Sequence, residues 1–175
     1  MSEINANSST CCCRTGFVKR RQAGMSADGD DCSASSSRMR FSTRKPATMK
    51  PVTTDSAPLA RGHYSQAIVH GGLVYVAGQL PMDPREPEKR LQDFESQARQ
   101  VIRNVLAIVE AAGSSPDRIL RTTVYIADVA HWPAFNSVYA QLLGSHKPAR
   151  TVVPVAQLHY GYLVEMDAIA ALRGS

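Results

Sequence analysis

The spacing of apolar residues changes period at a few places along the chain, and those changes mark its elements. From Ser65, "SQAIVHGGLVYVAGQLP" places two short apolar runs around His70-Gly71-Gly72. Glycines there supply the positive φ that tight hairpin turns require, so the stretch predicts a β-hairpin. In "QDFESQARQVIRNVLAIVEAAG", Phe94, Ala98, Val101, Ile102, Val105, Ile108, Val109 and Ala112 recur at steps of three and four. That stripe predicts an amphipathic helix, and Gly113 is placed to end it as a left-handed C-cap. "ILRTTVYIAD" is a β-branched strand. "HWPAFNSVYAQLL" predicts a second helix with Trp132, Phe135, Val138, Tyr139 and Leu142 on its buried side, and "RTVVPVA" and "YLVEMDAIAAL" predict two further strands.

The order hairpin, helix, strand, helix, strand, strand suits an α+β layer sandwich, a mixed sheet with both helices on one face. Alternation in the last strand sets Val164, Met166, Ala168 and Ala170 under the helices, and Leu163, Glu165, Asp167 and Ile169 on the other side. That other face mixes aliphatic groups with acids. A solvated face and an oligomer interface with polar pockets fit the pattern equally well.

A chain of 175 residues makes one domain of ordinary size and leaves room for a tail. The composition breaks at Met49. Residues 1–48 hold eight Lys/Arg against four acids, or +4; of the total 20 and 15, that leaves 12 against 11, or +1, for residues 49–175. The basic character belongs to the tail, and the folded part shows no electrostatic footprint for nucleic acid. Cys11, Cys12, Cys13 and Cys32 all lie in the tail too, which argues against a disulfide-stapled secreted domain. The Cys triplet lacks the spacing and the histidine of a metal site. Residues 1–48 are expected to be a disordered, Ser/Arg-rich segment. "DGDD" at 28–31 is wrong for a transit peptide, and we favour Met49 as the true start. No apolar run approaches the ~20 residues that span a bilayer, so a soluble, cytoplasmic protein is expected.

Four places could carry chemistry. Pro148 stiffens the entry to a strand and aims Arg150, whose guanidinium can bind a carboxylate through two parallel bonds; on its own, a surface salt bridge is the commoner role for such a residue. Glu165 sits mid-strand between Val164 and Met166, where partial burial raises a carboxyl pKa and makes a proton acceptor; most such residues merely face water. Tyr64, just before the hairpin, is more often packing than chemistry. Gly78, at the end of the hairpin, allows backbone to approach a ligand, although a β-bulge is the commoner reason for a glycine there. There is no P-loop, Rossmann glycine fingerprint, HExxH or nucleophile elbow.

Taken together, "GHYSQAIVHGGLVYVAGQLPMDP", "QARQVIRNVLAIVEAAG", "RTTVYIADVAHWPAFNSVYAQLL", "KPARTVVPVAQL" and "VEMDAIA" resemble, in order and spacing, the RidA/YjgF family of enamine/imine deaminases, over about residues 51 to 172. The resemblance implies a homotrimer of a chorismate-mutase-like α+β fold with active sites in the clefts between subunits. It also implies hydrolysis of 2-aminoacrylate-like or amino-dienoate enamine and imine acids to keto acids and ammonia, the activity of a 2-iminobutanoate/2-iminopropanoate deaminase, without cofactor or metal. Residue by residue, Arg150 matches the arginine that receives the substrate carboxylate and Glu165 the glutamate that positions the hydrolytic water. Tyr64 matches a tyrosine lining the cleft, Gly78 the glycine whose backbone borders the substrate, and Asn136 an asparagine with a structural role.

The chain departs from the family at Gly62-His63-Tyr64, where Gly-Pro-Tyr is usual, at Ala77, where serine is, and at Leu158-His159-Tyr160, where Leu-Pro-Lys is. These changes set His159 and Tyr160 at the expected substrate rim and allow a larger or aromatic-derived substrate. Two other classes stay open: an RNA-binding, ribonuclease-type translation inhibitor, and a trimer that binds small ligands without turnover.

Overall fold

Residues 48–174 are described by the computed structural model; the Ser/Arg-rich segment and its cysteines lie outside them. Eight principal elements follow along the chain: β1 (Lys50–Val52), β2 (Ala67–His70), β3 (Leu73–Gln79), α1 (Phe94–Ala111), β4 (Ile119–Ile126), α2 (Trp132–Leu143), β5 (Ala149–Pro154) and β6 (Val164–Ala171). The strands form one sheet in the order β1-β2-β3-β6-β4-β5. β6, the last in sequence, lies between β3 and β4 and is antiparallel to both. β4 and β5 are parallel and are joined through α2, the long connection that parallel neighbours need.

The predicted turns are present with the expected chemistry. His70 pairs with Leu73 across a two-residue connection in which Gly71 and Gly72 have φ of 59° and 82°, as a primed hairpin turn requires. Gly113, at φ 88°, ends α1. Its N–H donates to the Glu110 carbonyl and that of Ser114 to the Val109 carbonyl, at 3.0 and 3.1 Å, the paired bonds of a Schellman cap. At the other end Asp93 caps the helix by accepting from the Ser96 N–H at 2.8 Å.

The core lies between sheet and helices. Val101, Ile102, Val105 and Ile108 of α1 and Phe135 and Val138 of α2 are buried together with Val164, Met166, Ala168 and Ala170 of β6. Burying a large aliphatic side chain of this kind contributes about 1.5–3 kcal/mol, so the stripe and the alternation are enough to place the helices. The α+β architecture with both helices against a mixed sheet is as the sequence predicts.

Two details differ. β1 is an additional edge strand, paired antiparallel with β2 through Pro51 and Ile68; three residues are too short to show alternation, and proline is tolerated at an edge. Trp132, expected on the buried side of α2, is 42% exposed. It stands in the helix's first turn with the Arg150 guanidinium 5.9 Å from its ring, and the buried stripe begins at Phe135. At the far end of that stripe Leu143 is buried, while Leu142 packs at the margin.

Candidate active site

A cleft of about 460 Å³ gathers Tyr64, Gly78, His159, Tyr160 and Glu165. Five of the residues singled out from sequence therefore share one concavity, although they come from a loop, a hairpin strand, a turn and the last strand. Arg150 is not among its lining residues.

Glu165 owes its place to strand alternation. Val164 and Met166 on either side are fully buried under the helices, so the carboxylate must point to the opposite face, across from Tyr125 in register. Between Val76↔Ala168 and Gln79↔Met166 the pairing of β3 with β6 slips, leaving Ala77 and Gly78 opposite Asp167. Gly78 thus sits in a bulge, the common role of a strand glycine, and also serves a close approach: a Cβ there would overlap Glu165 Oε1. The carboxylate lies directly over bare backbone, and a larger residue at 78 would have to push it aside.

Burial pushes the Glu165 carboxyl above its ordinary value; His159 opposes this and Asp167 adds to it. Burial and then Asp167 raise the phenol of Tyr125 in the same face, and Tyr125 donates to Asp167 Oδ2 at 3.3 Å. A carboxyl that reprotonates more readily than usual is suited to taking a proton from water near neutrality.

The walls of the cleft are held by buried amides that no motif marks. Gln66 accepts from the Thr54 N–H at 2.7 Å and donates to the carbonyls of Thr54, Ala57 and Pro58, fixing the loop that carries Leu59, Arg61 and Tyr64. Asn104 donates to the carbonyls of Leu80 and Met82, and Gln97 binds Leu91 and Leu163, which fixes the approach to β6. Leu59, Arg61 and Met82 also line the cleft and sequence reading missed them, because they lie in loops without period. Gln97 and Asn104 had left a signal: both fall on the apolar phase of α1, where a polar side chain needs a partner. Every buried side-chain nitrogen and oxygen among the described residues has one.

His159, Tyr160 and Gly161 make a tight turn. Tyr160 is the sole described non-glycine residue at positive φ, 59°. Its ring meets that of buried Tyr162 edge-on, with centroids 6.4 Å apart, and the Arg90 guanidinium lies 5.7 Å from the Tyr162 ring.

Arg150 occupies other surroundings. It pairs in register with Thr122 of β4, which pairs with Ala168 of β6; both partners are buried on the helix side. Arg150 and Glu165 therefore project from opposite faces of one sheet. The guanidinium lies 4.7 Å from the Tyr139 ring and donates to Asn136 Oδ1 at 2.8 Å, while the Tyr139 hydroxyl and Thr122 Oγ1 share a hydrogen bond of 2.9 Å. No carboxylate pairs with Arg150 among the described residues, so the commoner salt-bridge role is not met there. Asn136, expected to be structural, is the residue that accepts this bond from the arginine.

No group of three or more His, Cys, Asp or Glu among the described residues could hold a metal ion, and no described helix is long and apolar enough to cross a membrane.

Known proteins resemble the chain throughout this region. A family model described as Endoribonuclease L-PSP matches residues 54–172. A RutC family protein of Pyrococcus horikoshii is 43% identical over 119 residues, 68% of this chain and 94% of its own length. Protein MMF1, mitochondrial, of Saccharomyces cerevisiae is 42% identical over 124 residues, 70% of this chain and 84% of its own. TdcF of E. coli, solved with bound serine, is similar in fold with a TM-score of 0.67 at 38% identity, covering 70% of this chain and 98% of that one.

Proposed function

Because the chain belongs to the RidA/YjgF family, to which the names RutC and endoribonuclease L-PSP also attach, we propose that it hydrolyses small enamine and imine carboxylic acids to keto acids and ammonia. The observation that carries the reading is the half-buried Glu165 carboxylate, held above the bare backbone of Gly78 inside a cleft and pushed towards a higher pKa. Serine bound to TdcF, a small molecule with a carboxylate, supports a substrate of that size and charge.

The reaction runs in three steps. The enamine takes a proton at its β-carbon, loses one from nitrogen and becomes an imine. Water adds to the C=N carbon as Glu165 accepts its proton and the nitrogen takes one from solvent, to which the hydroxyl proton of the next step is returned. The C–N bond of the carbinolamine then breaks, its hydroxyl proton leaves as the C=O bond forms, and ammonia departs with the proton returned by Glu165. General-base assistance of this kind supplies roughly 10²- to 10⁴-fold.

Arg150 anchors the substrate carboxylate in this scheme. Since it leaves the opposite face from Glu165 in its own chain, the two meet only when the edge strand β5 of one copy is set against the open sheet face of another. We assign the assembly to a homotrimer with three such seams, in keeping with the preference of oligomers for closed symmetry. Neither cofactor nor metal enters any step. The cytoplasm is the compartment we propose, with the mitochondrion in the name of yeast MMF1 as its rival. RNA cleavage, suggested by the family model's name, fits the residues less well: the charge of residues 49–175 is nearly balanced, and the cleft offers Arg61 beside the carboxylate of Glu165 rather than a basic groove.

The test is turnover of an imine generated in place from alanine by an amino-acid oxidase. The protein should speed keto-acid release, and Arg150→Ala should lose that activity while keeping its oligomeric state by light scattering. An unpaired carboxylate in the site costs about 2–5 kcal/mol of binding. Unchanged turnover by Arg150→Ala would remove the anchor from the scheme.

A further inference from the structure

Of the eight exposed large hydrophobic side chains among the described residues, three, Leu59, Tyr64 and Tyr160, line the cleft around Glu165. Tyr64 and Tyr160 are 53% and 58% exposed, and His159 adds a third ring to the same wall. Water-facing rings collected in one concavity, beside a single carboxylate, match the makeup of a ligand site, in which apolar walls surround a few placed polar groups.

Tyr160 stands out within that wall. A bulky side chain at φ 59° strains the backbone, and glycine or asparagine would hold the same turn with less strain. The strain keeps the phenol ring at the mouth of the cleft, propped edge-on against buried Tyr162, with the His159 ring 6.1 Å away. A surface turn has no need of an aromatic group at its strained position, whereas a clamp does.

We propose that Tyr160, with His159 and Tyr64, selects imino and enamino acids whose side chain is a planar aromatic or conjugated group, stacked on this wall while the C=N carbon faces the water held by Glu165. The inference rests on the hydrolase reading above and adds the substrate class. Offset or edge-on ring contacts favour such a side chain over a methyl group, and an apolar pocket discriminates by about 10- to 200-fold for each group it fills.

The experiment compares kcat/KM of the full chain for imines made in place from phenylalanine and from alanine, in wild type, Tyr160→Gly and Tyr160→Asn. Both substitutions suit positive φ, so the variants should melt no lower than wild type. The expected result is a wild-type preference of about tenfold or more for the phenylalanine-derived imine, with the ratio falling about tenfold in both variants. A wild-type preference for the alanine-derived imine would overturn the inference and leave the hydrolase reading standing. So would a ratio that neither variant moves, as expected if Tyr160 instead packs against a neighbouring copy. Turnover of neither imine would overturn the hydrolase reading and this inference with it.

Discussion

The same strands build both faces of the sheet, yet the faces differ in what they carry. Under the helices, β6 presents Val164, Met166, Ala168 and Ala170, all buried, against the apolar stripes of α1 and α2. On the far side the intervening residues Glu165, Asp167 and Ile169 are half-exposed, with Tyr125 and Asp167 hydrogen-bonded among them. Where packing fills a face, it leaves no room for ionisable groups except at the margin, and Arg150 stands at that margin, on the edge strand beside α2. Where nothing of the described chain covers a face, acids persist, and Glu165 sits at a depth where burial raises its carboxyl. The contrast explains why the two groups of the proposed chemistry cannot meet in one chain: each face supplies one of them.

Substitutions at neighbouring positions of β6 should separate the two roles. The largest effect is expected from Glu165→Gln, which removes the proton acceptor and should lower kcat/KM by about 10²- to 10⁴-fold, with folding retained. In wild type the acid limb of the pH profile should lie above the usual glutamate value of 4.5, because burial raises the carboxyl, and the variant should lose that limb. The sign for stability is opposite. With its folded pKa raised, Glu165 contributes fully below 4.5, and that contribution is lost as pH rises through the raised value. Glu165→Gln should therefore be the more stable of the two at neutral pH and not at pH 4, as denaturant titrations at the two pH values would show. A variant destabilised at neutral pH would mean that the ionised group is held by a partner.

One position on, Met166→Ala should do the reverse. The side chain is fully buried, so its truncation should cost about 2–5 kcal/mol of stability, read from the midpoint of urea unfolding. In the fraction that stays folded, kcat should change far less than in Glu165→Gln. If Met166→Ala cost activity before stability, the division of labour between the faces would be wrong.

The covered face was legible because burial imposes a period: the stripe of α1, the alternation of β6 and the Gly71-Gly72 turn all declare themselves in sequence. β1 was hidden by its length, and Trp132 by standing in the first turn of a helix whose stripe its spacing matches. In the cleft, Glu165, Gly78, Tyr64, His159 and Tyr160 were found from strand position and family likeness. Leu59, Arg61 and Met82 were not, since loops held by Gln66 and Asn104 obey hydrogen-bond geometry rather than period. The opposite facing of Arg150 and Glu165 needed the register through β4, which depends on how three strands align and leaves no local trace.

The central claim, that a site takes its arginine from one chain and its glutamate from another, is tested most directly by complementation. Arg150→Ala and Glu165→Gln, each inactive alone, are co-expressed with distinguishable tags, and the mixed oligomers are purified and assayed on the alanine-derived imine. The account predicts that activity returns, at about one site in three of each mixed trimer, because one seam of the closed ring then joins an intact arginine to an intact glutamate. Mixed oligomers as inactive as their parents would contradict it.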